Sequence, residues 1–328
     1  MQMHVAVRRL VGSVGVTSLA LVVSPAEAAP QIHDLGTLGG PSAFARDINE
    51  PGQIVGESTK ANGDTHAFLF TPWVGGLSDL GTLGGTFSQA RAISNRGQVV
   101  GSSSLAGDNE TRAFLWDQGK MTALPPFQGA QFSEGIDVND AGVVVGQSGG
   151  VAVRWHDGRV SALGDLGGGS GFATGINPSG VIIGTGSLAS GEFHGWVFRN
   201  GRMTDLGAFG GVNSSADGIN SSGDIVGRYE PSAGAAPHGY VLKNGVFKDL
   251  GVVGSFSGAN AISNSGLIAG EGGFDVLHAI LWDYSGTPID LGTLPGSTLS
   301  SASAVNSAGT VVGTSELDTG GFRAVFWR

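Results

Sequence analysis

Two sets of residues recur at regular intervals along this chain and are the first places to look for chemistry. One precedes a run of small and aromatic residues: His66, Arg112, Val151, His194, His238, His278 and Arg323. Six of these seven are His or Arg, and four of the chain's seven histidines are among them. A ring of such donors would suit several copies of an anionic or sugar ligand. Recurrence in almost every unit is also what a packing role predicts, with each side chain bonded inside its own unit, and that reading is the stronger. Histidines in separate units lie too far apart to share one zinc ion.

The second set varies where its surroundings repeat: Arg46, Arg91, Ile136, Thr174, Asp217, Asn260 and Ser303. If these side chains converge, Arg46, Arg91, Asp217 and Asn260 are the candidate ligand-binding residues. The plainer alternative is that they line a water-filled channel. Asp47, Asp137 and Asp217 could meet as an acid/base pair of the kind glycosidases use, although sequence does not supply their separation. Gly146-Gln147-Ser148-Gly149-Gly150 matches a nucleophile elbow, but an all-β repeat offers no strand-to-helix elbow, so it reads as a turn. Gly107-Asp108-Asn109-Glu110 lacks the ligand spacing of a calcium loop. No phosphate loop, EF-hand loop or His-Glu-x-x-His occurs. No catalytic residue, cofactor or metal is therefore assigned.

The elements that must position these residues follow from a repeat. Ile/Val-Asn/Ser-x-x-Gly-x-Val/Ile-x-Gly recurs at 48–56, 93–101, 138–146, 176–184, 219–227, 262–270 and 305–313. The final glycines are spaced 45, 45, 38, 43, 43 and 43 residues apart. Each unit holds four short segments. The first is small-x-small-aliphatic, as in Ala90-Arg91-Ala92-Ile93, and the second is Gly-x-Val-Val-Gly. The third is aromatic-aliphatic, as in Ala113-Phe114-Leu115-Trp116, and the fourth ends in Asp-Leu-Gly. Short runs of Val, Ile, Phe and Trp between Gly, Asn and Ser clusters read as strands. Asn200-Gly201, Asn244-Gly245, Asp157-Gly158 and Gln118-Gly119 suit type I′ hairpins between the third and fourth segments. Four antiparallel strands per unit match one propeller blade.

The seventh unit lacks its fourth segment, whereas Ile32-His33-Asp34-Leu35-Gly36 is a fourth segment with no unit before it. An N-terminal strand pairing into the last blade would close a ring and leave no orphan edge, which an open solenoid would not. The expected fold is an all-β, seven-bladed propeller of four-stranded blades, one domain over residues 29–328. Its first segments would be innermost and line the channel.

The composition agrees: 59 Gly, 12 Pro, no Cys and only 13% charged residues describe a glycine-punctuated chain without disulfides or thiolate metal sites. Residues 1–28 read as a secretory signal peptide. Arg8 and Arg9 precede the apolar run 10–23, Pro25 breaks it, and Ala26-Glu27-Ala28 offers a cleavage site. The remainder carries 15 basic and 26 acidic residues, a formal charge of −11, with no basic cluster for nucleic acid. A secreted or periplasmic monomer, with no membrane span after cleavage, is expected.

The His-Ala-Phe step, the Asp-Leu-Gly-Thr-Leu-Gly-Gly runs at 34–40 and 79–85, and Ile-Asn-x-x-Gly-x-Ile-Val-Gly resemble the HAF family of bacterial extracellular repeat proteins. The resemblance covers residues 31–328. It departs most in the third and fourth units, where Ala152-Val153-Arg154-Trp155 lacks the apolar third residue and Leu124-Pro125-Pro126 replaces Asp-Leu-Gly. It implies export and a repeat scaffold, but no reaction and no catalytic residues. Two functions follow: a non-enzymatic binding or scaffolding module for an unknown glycan, polymer or protein, or a carbohydrate-active hydrolase or lyase acting at the channel mouth.

Overall fold

The computed structural model describes residues 30–273 and 276–328. The signal peptide expected over residues 1–28 lies outside them. Among the described residues the chain is strand, turn and a single 3-10 turn, Phe127–Gly129. The second repeat shows the pattern: strands Gly84–Ile93, Val99–Leu105, Thr111–Asp117 and Lys120–Ala123 pair antiparallel in chain order. The hairpin turns have the positive φ that their residues permit, with Asn200 at 54° and Gly201 at 77°. The buried aromatics of the third strands fill the space between sheets. Trp155, Trp196, Trp282, Trp327, Tyr240, Phe68 and Phe114 are all fully buried, each removing apolar surface equivalent to about 1.5–3 kcal/mol.

The chain ends meet. Ile32–Asp34 pairs antiparallel with Phe322–Trp327, with Ile32 opposite Trp327 and Asp34 opposite Val325. The first repeat then packs on the last, where Ala43, Ala45 and Phe68 share a core with Ala304, Val312 and Ala324.

The count of separate sheets corrects the expectation of seven like blades. Five sheets, not seven, stand alone as blades: four of four strands and one of five. The first two repeats are joined in a single eight-stranded sheet, because Thr65 at the start of one third strand bridges in parallel to Phe87 of the next repeat. The five-stranded sheet arises because the inner strand of the fifth repeat is broken into Asn213–Ser214 and Gly218–Ile219, both paired to Ile225–Glu230.

Every unbroken inner strand carries a β-bulge at the same place. The ladder skips Arg46, Arg91, Ile136, Thr174, Asn260 and Ser303, each flanked by paired residues. A bulge leaves one residue unpaired and re-aims its side chain. It also explains the final glycine of the repeat motif. A Cβ on Gly56 would lie 1.8 Å from the Phe44 carbonyl oxygen, and one on Gly313 would lie 1.9 Å from that of Ser301. The strands approach too closely there for any side chain.

The motif asparagine does two jobs. Its Oδ1 accepts the backbone N–H four residues on, closing its own turn, as Asn49 does from Gln53 at 2.8 Å and Asn306 from Thr310 at 3.1 Å. Its Nδ2 donates to a carbonyl of the next repeat: Asn49 to Ser94, Asn139 to Asn177, Asn177 to Asn220, and Asn220 to Ser263. Asn306 donates to Asn49 at 3.3 Å, which staples the last repeat to the first. The two repeats with serine here, Ser94 and Ser263, close their turns through Oγ and have no amide with which to reach onward. Asn306→Ala should lose both bonds, a cost of about 1–3 kcal/mol. Asn306→Ser should keep the turn bond and fall between wild type and Ala in melting temperature. Equal losses for Ser and Ala would mean that the cross-repeat bond contributes nothing.

Candidate channel-mouth site

The bulges place the varied residues together. Arg46, Arg91, Ile136, Thr174, Asp217, Asn260 and Ser303 all line one cavity of about 280 Å³, along with the motif residues Asn49, Asn139, Asn177 and Asn306 and residues of the turns. The four ligand-binding candidates thus share one polar mouth, built from every repeat.

Their partners lie on second strands, except Glu134 and Gln89 on inner strands, and were not singled out from sequence. Arg46 donates from Nε to both oxygens of Glu57 at 3.0 Å, and its Nη2 also bonds that carboxylate. Arg91 Nε donates to Glu134 of the next repeat at 2.7 Å, as does Gln89 Nε2. Across the ring, Arg228 donates from Nε to Asp217 at 3.3 Å and from Nη2 to Asn260 at 2.6 Å, and its Nη1 lies 3.6 Å from Glu271. Asn260 in turn donates to the Ala302 carbonyl at 2.9 Å. The available signal was the position just after each motif's last glycine: Glu57, Ser102, Gln147, Thr185, Arg228, Glu271 and Thr314. It varies as strongly as the bulge position and pairs with the residue two before the bulge, as Glu57 does with Phe44.

Asp47 and Asp137 have a different role. Asp47 accepts the Ile48 N–H on Oδ1 and the Ile93 N–H of the next repeat on Oδ2, both at 2.8 Å. Asp137 does the same for Val138 and Ile176, both at 2.7 Å. Burial pushes the Asp47 carboxyl up to about 7, opposed by its backbone bonds and aided by the Asp137 charge. Burial likewise raises Asp137 to about 6. Asp217 is raised too, by burial, against the pull of Arg228.

The His and Arg ring does not converge on a site. His66 Nδ1 lies 2.7 Å from Asp79, His194 3.0 Å from Asp205, His238 3.0 Å from Asp249 and His278 2.7 Å from Asp290. Each carboxylate is the Asp of an Asp-Leu-Gly step in the same sheet, and it also accepts the N–H of the glycine. Arg323 takes the same place beside Asp34 of the N-terminal strand, at 3.5 Å. Arg112, whose repeat has no such Asp, bonds Glu110 and donates to the Gln131 carbonyl at 2.8 Å. The residue after the histidine reaches the neighbouring repeat: the Ala67 N–H donates to Ser88 and the Ala279 N–H to Ser300. Burial pushes Asp79 up, but the Gly81 N–H, Lys60 and His66 together hold it below its ordinary value.

No protein-family model matches the chain, and no curated protein matches it. Solved structures do. The chain is similar to the β-propeller domain of the Trilobed protease from Pyrococcus furiosus, at 12% identity, TM-score 0.59, covering 87% of this chain and 95% of that one. It is similar to a catalytically inactive virginiamycin B lyase from Staphylococcus aureus, at 11% identity, TM-score 0.57, covering 91% and 99%. It also resembles an acylaminoacyl peptidase from Pyrococcus horikoshii, at 11% identity and TM-score 0.58; there the match covers 87% of this chain but only 51% of the peptidase. Fold and likeness together make this chain a β-propeller. At these identities the likeness concerns fold alone.

The raised carboxyls set a pH dependence. Asp47 and Asp137 hold protons in the fold at pH values where the unfolded chain, with ordinary carboxyls near 4, has released them. The native state then binds more protons, so stability falls as pH rises from about 4 to 7. The slope is at most about 1.4 kcal/mol per pH unit for each group. Melting temperature followed from pH 4.5 to 7.5 should fall, and Asp47→Ala should make the fall shallower whatever its starting value. An unchanged slope in that variant would show that Asp47 titrates normally.

Proposed function

We propose that this chain is an exported, non-enzymatic propeller of the HAF type that binds a glycan, polymer or protein ligand through its channel mouth, in the periplasm or outside the cell. One observation carries the reading. The mouth's carboxylates are engaged in holding the wall together, while its guanidinium groups retain exposure to the cavity. Asp47 and Asp137 each use both oxygens on backbone N–H groups of two repeats. Asp217 is held by Arg228 and Ser215. A general acid or base must reach the proton it moves, and both oxygens of Asp47 and of Asp137 face structural partners, whereas Asp217 is held through Oδ2 alone. The resemblance of the repeats and the leader-like residues 1–28 support export.

The hydrolase or lyase reading draws on one feature, the carboxyls of Asp47 and Asp137 raised to about 7 and 6 inside one channel. Environments that move carboxyls this far are common at catalytic sites. A glycan and protein array probed with the full chain, run beside a polysaccharide-degradation screen, separates the two. Saturable binding without product release is expected, weakened by Asp217→Asn. Turnover that Asp217→Asn abolishes while the circular dichroism spectrum stays unchanged would overturn the binding reading.

A further inference from the structure

The two arginines of the first and second repeats share an arrangement that selects a ligand chemistry. Arg46 and Arg91 keep 34% and 35% of their side-chain surface exposed, whereas Glu57 and Glu134 keep 9% and 7%. The carboxylates therefore sit behind and the guanidinium groups in front, toward the cavity that both arginines line. Arg91 uses only Nε on Glu134, and Arg46 uses Nε and Nη2 on Glu57. Among the described residues, both Nη groups of Arg91 and Nη1 of Arg46 carry no hydrogen bond. Planar guanidinium donors of this kind match a carboxylate or phosphate in a bidentate way.

The rest of the cavity is chemically different. In the fifth repeat Asp217 takes its bonds from Ser215 and Arg228 on Oδ2, and among the described residues Oδ1 accepts none. The Ser303 hydroxyl in the seventh repeat carries no hydrogen bond among the described residues either. These acceptors suit hydroxyl donors and would repel a second anion. A cavity of about 280 Å³ lies at the small end of ligand sites, enough for one small residue or a chain end.

Taking the mouth as the binding site, we propose that it holds an acidic sugar residue, its carboxylate between Arg46 and Arg91 and its hydroxyls on the Asp217 and Ser303 side. The inference rests on the reading of the mouth given above. The test is calorimetric titration of the full chain with glucuronate, galacturonate, glucose and inorganic phosphate. At least one uronate should saturate the protein, with glucose roughly tenfold weaker or more. The double substitution Arg91→Gln with Glu134→Gln removes the guanidinium without stranding a buried carboxylate. It should lower uronate affinity roughly tenfold to a hundredfold with the melting temperature nearly unchanged. Asp217→Asn should weaken uronate but not phosphate.

Failure of both uronates to bind, glucose binding as tightly as uronate, or indifference to the double substitution would each overturn the acidic-sugar inference. Phosphate binding as tightly as uronate would reduce the site to a bare anion hole and overturn it as well. An array ligand weakened by Asp217→Asn yet indifferent to the Arg91 and Glu134 pair would sink this inference alone. Array ligands indifferent to both changes would sink the mouth as the binding site.

Discussion

The architecture depends on a side-chain amide that five of the seven repeats extend to the next. A four-stranded sheet of 3–10-residue strands is too small to stand alone, and its edges invite pairing with other chains. Here the asparagine of the repeat motif closes its own turn with Oδ1 and binds the neighbouring repeat with Nδ2, so folding one unit presents the donor for the next. The series ends where Asn306 reaches Asn49 and Ile32–Asp34 completes the C-terminal sheet. Both closures join residues almost the full length of the chain apart. Such contacts cannot form locally, so the ring is secured only when most repeats are in place.

That constraint also frees one position. The bulge lets an inner strand turn toward the axis, and the glycine opposite accepts the close approach of the carbonyl. Backbone groups on either side of the bulge stay in the ladder while the residue on it leaves. Its side chain then owes nothing to pairing, and the sequence varies there from Arg46 to Ile136 to Asn260, while the residue before it is always Ala or Gly and the one after it is Asp47 or Asp137 in the first and third repeats. Conservation of shape and variation of chemistry sit one residue apart.

This explains what the sequence revealed and what it withheld. Strand order, hairpin turns and the pairing of the N-terminal strand were readable because each rests on residues that repeat, such as Asn200-Gly201 or Asp34-Leu35-Gly36. The convergence of Arg46, Arg91, Asp217 and Asn260 was readable once the inner strand was identified. The number of separate sheets was not, because one bridge between Thr65 and Phe87 merges two repeats and nothing in either residue announces it. Nor were Glu57, Glu134, Arg228 and Glu271. Glu57, Arg228 and Glu271 lie on second strands and Glu134 on the inner strand of the third repeat, and their roles depend on which arginine or asparagine stands beside them in the same or the neighbouring repeat. Repetition fixes backbone geometry, whereas pair identity is set separately at each junction.

Net charge is a poor guide to the potential at such a mouth. The chain carries a formal −10, yet position within the wall decides which charge a ligand meets. Glu57 and Glu134 neutralise their arginines from behind, in surroundings where an unpaired carboxylate would be costly to bury. Asp47 and Asp137 turn inward to backbone N–H groups, and burial favours their protonated forms. In the first two repeats the cavity is faced by the polar edges of two guanidinium groups, with Glu50 and Asn95 on the turns beside them, and Asp217 in the fifth repeat is a counterweight of opposite sign. The same residues that secure the wall thereby divide the mouth into a donor side and an acceptor side, a polarity that an exact sevenfold repeat of one sequence would lack.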